Sequence, residues 1–179
     1  MNKKSKKQKI TDNNWFILFA GVLAVLNILF FTGLFQVIVA LLFGIHNFSL
    51  EFKAVIFAPV FSFTEKTSVI AYCIIYLTPI AFNIILLEFG TALLKKTSLG
   101  SKRFALIVFN LIIAGYLIVN VFYGAAVSLL TENYGNDWSQ LLSILNIHGN
   151  KRIFFMFAVI LLLTIELKQT AKRILEYIN

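Results

Sequence analysis

Apolar residues along this chain gather into four long runs, and the segments between them hold nearly all the charge. The runs cover roughly 15–45, 68–94, 104–130 and 153–167. The first three are each long enough to cross the roughly 30 Å of bilayer hydrocarbon as a helix, and the fourth, whose apolar core is shorter, reaches that length as its helix continues toward Ile178. The pattern predicts an all-α fold: a polytopic integral membrane bundle of four transmembrane helices with short interfacial segments. The first run is about 31 residues long, well beyond the ~7–15 apolar residues of a signal peptide. It reads as a retained helix that tilts or projects. Pro79 sits inside the second run and is expected to kink it by removing one backbone hydrogen bond.

The connecting segments have their own periods. Residues 1–14 carry five Lys and are expected to be a disordered cytoplasmic tail, with residues 15–179 forming one transmembrane domain. Between the first two runs, Phe48, Leu50, Phe52 and Ala54 alternate with Ser49, Glu51 and Lys53, a period of two that suits an interfacial strand. Around Pro59 the alternation dissolves, so within 48–63 the later residues read as a re-entrant or interfacial stretch, with a short fifth span as an alternative. In 137–147, Trp138, Leu141, Leu142 and Leu145 recur at helical spacing behind Asp137 and Gln140. This predicts a short amphipathic helix in the interface with Trp138 as its anchor. Residues 168–178 continue the fourth helix as an amphipathic cytoplasmic end.

Composition agrees with the pattern. The chain is 59% hydrophobic and 13% charged, with 19 Phe and a mean hydropathy of +0.85. A soluble domain of 179 residues has too much surface for its volume to hide that much apolar area. The net charge of +8 lies at the ends of the runs, which argues for membrane orientation and against nucleic acid. With the N-terminus inside, twelve of the 16 Lys and Arg face the cytoplasm, and Lys53, Lys66, Lys151 and Arg152 face outward. Both termini are therefore expected in the cytoplasm of a multi-pass cell-membrane protein. The abundance of Lys, Asn, Ile and Phe suits a bacterial inner membrane. Cys73 stands alone, so no disulfide framework exists.

Polar residues inside the runs are the candidates for chemistry. Gly33, Gln36, Ala40 and Gly44 share one arc of the first helix. Tyr72, Tyr76, Asn83 and Gly90 fall within about 40° on the second. Asn110, Ala114, Asn120, Gly124 and Ser128 line one side of the third. Such stripes hold helices together by close packing and hydrogen bonds, and they also suit a polar substrate path. Glu88 and Glu166 are the acidic residues within the spans. They are expected either to reach the headgroups and pair there, near Lys95 and Lys168, or to form a proton- or cation-coupling pair on facing helices. His46, His148 and Asp137, with Glu51 and Glu132 in the same segments, are metal candidates, although no two share a ligand spacing. H-E-x-x-H, C-x-x-C, G-x-S-x-G and the phosphate-binding G-x-x-x-x-G-K-[ST] are all absent, which argues against an enzyme and names no cofactor.

From about residue 34 to 145 the order of features resembles the core of site-2-protease-like intramembrane metalloproteases. LFQVIVALLFGI stands where that family has its H-E-x-x-H helix. FSLEFKAVIFAPVFSF is similar to the β-like stretch that follows, Thr78-Pro79-Ile80-Ala81-Phe82-Asn83 to the Gly-Pro-x-x-Asn type motif, and Asp137 to the acidic zinc ligand. Positions 36–40 read Gln-Val-Ile-Val-Ala, so both His ligands and the Glu base are missing. The charge pattern also runs the first helix from inside to outside, opposite to the family. The resemblance implies a catalytically dead relative.

Two functions follow as expectations. The first is a non-catalytic membrane protein that acts through helix or loop contacts with a membrane-protein partner or a second copy, its Lys-rich tail on anionic lipid. The alternative is a small transporter or channel subunit with Asn83, Asn110, Asn120, Glu88 and Glu166 lining the path.

Overall fold

The structure is a computed structural model that describes residues 3–53, 58–63, 67–97, 100–130 and 137–178. The intervening residues, which include Ala54, Lys66 and Glu132, lie outside the described residues. The first helix comprises α1 (Lys3–Leu26), a π-helical turn (Asn27–Phe31) and α2 (Thr32–Leu42). Strands β1 (Phe48–Lys53) and β2 (Ala58–Phe63) follow. Then come α3 (Val69–Lys96), α4 (Ser101–Leu130), the short α5 (Asp137–Ile144) and α6 (Asn150–Ile178).

Among the described residues, four stretches of helix are long and apolar enough to cross a membrane: Trp15–Leu42, Val69–Lys96, Ser101–Gly124 and Asn150–Glu176. Their outward residues are apolar, with Phe154 76% and Phe157 64% exposed. A continuous surface of this kind needs hydrocarbon around it. The chain is a multi-pass membrane protein built as an all-α bundle, as the apolar runs predict.

The α3 N-terminus is capped by Ser68, whose Oγ accepts from the Ala71 N–H at 3.2 Å. Two helices close on left-handed residues. After α2, Gly44 (φ 75°) lets its N–H bond Leu41 O and lets the Ile45 N–H reach back to Ala40 O, both at 3.0 Å. After α5, Asn146 (φ 52°) plays the same part, and the Ile147 N–H bonds Leu142 O at 2.9 Å. Ala40, Ile45 and Ile75 then form a small buried cluster with Phe48 against it, which fixes where the chain leaves α2.

Several details differ from the sequence pattern. The Lys-rich tail is helical from Lys3, continuous with the first span. Lys and Gln are good helix formers and extend a helix that is already nucleated. Beyond the expected strand at 48–53, residues 58–63 form a second, antiparallel strand, with Phe48 opposite Phe63 and Phe52 opposite Pro59. Among the described residues the sheet has two strands, each with an outer edge, so a residue without an N–H is tolerated in β2. β2 touches both α2 and the π turn. The hairpin therefore folds back along α2; six residues of strand span about 20 Å, close to the rise from the π turn to Leu42. Finally, Trp138, Leu141 and Leu142 turn into the bundle instead of toward the interface. The Trp138 indole lies so close to Gly124 of α4 that a Cβ there would overlap it.

The main core lies among α3, α4, α5 and α6 and includes Leu87, Leu117, Trp138, Leu142, Met156 and Leu163. α1 packs on α4, whereas α2 packs on α3. The π turn is thus the point at which the first span changes neighbours.

Candidate functional site

Three polar groups cross the bundle at different levels. The first is built on the π turn. There the Thr32 N–H and hydroxyl both reach Asn27 O, the hydroxyl at 2.9 Å. An i→i+5 closure stacks Asn27 above Thr32, although an ideal α-helix would set them roughly 140° apart. Asn83 enters from α3. Its Oδ1 accepts from Asn27 Nδ2 at 2.8 Å, and its Nδ2 donates to Thr32 Oγ1 at 3.2 Å and to Pro79 O at 2.7 Å. Asn27, Thr32 and Asn83 are all buried. Proline and its neighbouring Asn thus form one device, in which the Asn83 amide bonds the Pro79 carbonyl and carries the rest of its hydrogen bonds across to the first helix. One ring contact adds to this seam, Phe35 stacked on Phe82 at 4.0 Å.

The second group lies toward the hairpin end. Gln36 of α2 is 1% exposed, and its Nε2 donates to Asp137 Oδ2 at the start of α5, at 3.4 Å. Tyr76 of α3 and Tyr116 of α4 lie within electrostatic reach of the same carboxylate. Asn120 donates to the Tyr116 hydroxyl at 3.2 Å. Ala40, one turn beyond Gln36, is fully buried.

The third group sits toward the other end, between α3 and α6. Arg173 holds Glu88 with two parallel hydrogen bonds of 2.6 Å each, Nη1 to Oε2 and Nη2 to Oε1. Thr170 donates to Glu88 at 3.4 Å, and Glu166 lies 3.8 Å from Arg173. Glu88 and Glu166 therefore converge on facing helices, and the cation between them is Arg173, not the Lys95 or Lys168 suggested by nearness in sequence. Glu166, Thr170 and Arg173 fall at i, i+4 and i+7, a face that could have been read from the sequence.

The remaining candidates are dispersed. Asn110 is fully buried with its amide against Gly90, where a Cβ would overlap it. His46 and His148 are exposed in loops. Among the described residues no three His, Cys, Asp or Glu side chains come together as a metal group, so His46, His148 and Asp137 are not assembled into one. Glu132 lies outside the described residues, and so does the Glu51 side chain. At the positions where the resemblance places zinc chemistry stand an amide (Gln36), a methyl (Ala40) and a single carboxylate (Asp137). These donors do not fit the zinc that the resemblance implies. Asn27, Thr32 and Arg173 are the polar contacts that sequence reasoning missed.

The fold and these groups define the class, a membrane bundle with four candidate spans among the described residues, amide and hydroxyl contacts inside and the Glu88–Arg173 ion pair near an end. No family model, no curated protein and no solved structure matches the chain.

Proposed function

We propose that this is a non-catalytic multi-pass protein of the bacterial cell membrane that works by holding another membrane protein, with the hairpin and α2 as the contact surface. The observation that carries the reading is the hairpin's return along α2 to the π turn. At that depth a strand edge has no water to satisfy its N–H and C=O groups, and Glu51 and Lys53 belong to the same strand. β2 lies against α2, and β1, the other strand of the hairpin, is the one to which we assign an extended segment of a partner. The charge distribution supports both termini in the cytoplasm, with the Lys-rich start of α1 on anionic lipid. Kinship to a degenerate intramembrane protease, which the hydrogen bond between Gln36 and Asp137, 101 residues apart, would support, requires the opposite orientation and is the alternative to it.

Purification from mild detergent is expected to bring down a membrane protein, or a second copy of this chain, in stoichiometric amount. A monodisperse monomer without a companion would contradict the reading. Reporter cysteines in a Cys73-free chain test orientation: protection at Ser5 with labelling at Ser139 is expected in intact cells, and the reverse would overturn it. Kinship is tested by Gln36→His with Ala40→His, which would set two imidazoles one turn apart beside Asp137. Stoichiometric zinc in the purified double variant would support the kinship, and a folded variant that retains none would remove it.

A transport reading is favoured by one observation, the convergence of Glu88 and Glu166 on facing helices. It requires that Glu88→Gln or Glu166→Gln abolish a proteoliposome flux. Wild-type behaviour of both variants would leave the carboxylates as partners of Arg173 alone.

A further inference from the structure

A cavity of about 440 Å³ lies among α1, α3 and α4 at the end opposite the hairpin. Its walls are apolar: Phe16, Phe19 and Leu23 from α1, Phe89 and Leu93 from α3, and Leu106 among those from α4. It opens sideways, since Phe19 and Phe89 are 65% and 61% exposed on the outer surface of the bundle. The volume falls within the range of small-ligand sites, about 300–1,000 Å³. Walls with nothing against them lose their dispersion contacts, so in a bilayer such a groove fills with hydrocarbon.

Among the described residues one charged side chain belongs to the lining, and it stands where a headgroup would be. Lys102 opens α4, and its Nζ lies 5.8 Å from the centre of the Phe16 ring. Thr97 lines the same end, at the C-terminus of α3, with its hydroxyl donating to Leu93 O at 2.8 Å. Lys95 and Lys96 are exposed close by in the last turn of α3. Among the described residues the lining holds no carboxylate. An apolar slot parallel to the helices with a cationic rim at one end matches a phospholipid carrying a negative headgroup.

We infer that this groove is a seat for one anionic phospholipid, with an acyl chain between α1, α3 and α4 and its phosphate at Lys102. The seat is independent of the hairpin and of the partner reading. It would anchor the start of the first span to the α3–α4 turn through the lipid.

The test is native mass spectrometry of the full chain after delipidation, with phosphatidylglycerol or phosphatidylcholine of the same acyl chains added to the micelles. One phosphatidylglycerol is expected to be retained about fivefold more than phosphatidylcholine, whose choline cation cancels its phosphate charge, the factor expected of a single lysine beside a lipid of net negative charge. Lys102→Glu should erase that preference while acyl retention persists. Ala20→Phe, which fills the groove from α1, should lose both lipids, and Leu106→Phe does the same from α4 if the first variant fails to fold. Lys151→Glu at the other end should retain the lipid like wild type. Equal retention of the two lipids by wild type, or undiminished retention by a folded groove-filled variant, would overturn the inference. So would a second copy of the chain in place of lipid.

Discussion

The two faces of α3 solve the same problem by opposite means. Toward the first span and α4, the face carrying Tyr76, Asn83, Gly90 and Thr91 is buried and uncharged. Its polar groups bond a neighbouring backbone or amide, and its glycine lets a neighbour approach: Thr91 donates to Leu87 O at 2.8 Å, Asn83 spans to Asn27 and Thr32, and Gly90 admits Asn110. Toward α6, Glu88 meets Arg173 through a forked pair in which both side chains keep more than a third of their surface. Depth explains the difference. A charge placed where Asn83 sits would be desolvated on all sides, whereas Glu88 near the helix end keeps access to headgroups and water. The buried face should therefore govern stability, and the charged face should contribute little.

That ranking can be broken by substitution, with thermal unfolding in detergent as the readout. Gly90→Leu should cost most, about 3 kcal/mol, because its side chain must displace the Asn110 amide from between α3 and α4. Asn83→Leu should follow at about 2 kcal/mol, since it leaves the Asn27 amide buried without its acceptor. Adding Asn27→Leu to that variant should recover part of the loss, because an apolar pair leaves no orphaned amide. Glu88→Gln should cost less than about 1 kcal/mol and should lose its effect in high salt, as expected of a half-exposed ion pair. Lys172→Ala, which removes an exposed pair with Glu176 at 3.9 Å, should change stability by under about 0.5 kcal/mol. A Glu88 variant less stable than the Asn83 variant would invert the comparison.

Much of the architecture was legible because a bilayer leaves few alternatives. Runs of apolar residues longer than the hydrocarbon thickness become spans, and the period of two from Phe48 to Lys53 became β1. The second strand was not legible, since continuous apolar residues around Pro59 have no period and only pairing with β1 selects the extended form. The π turn was hidden for another reason. A helical wheel at 100° per residue assumes unbroken α geometry, and one i→i+5 turn rotates every later residue against the earlier ones. Asn27 therefore fell outside the stripe to which Gln36 and Ala40 belong. Of the site residues, Asn83 and Gly90 could be read as a packing face, but their partners could not, because pairing across helices depends on rotations that the sequence does not print. Gln36 and Asp137 were connected only by the family resemblance. Trp138 was misjudged because an amphipathic helix beside a bilayer has two apolar places to turn, lipid or bundle, and Gly124 decided for the bundle.

The claim that most needs testing is that β1 receives a partner. A photo-crosslinking side chain would be placed in cells at Ser49 and Glu51 of β1, at Val60 of β2, and at the lipid-facing Phe157 of α6 as control. The account predicts one discrete crosslinked species from the β1 positions that is weak at Val60 and absent at Phe157. Equal crosslinking at all four positions, or none at β1, would contradict it.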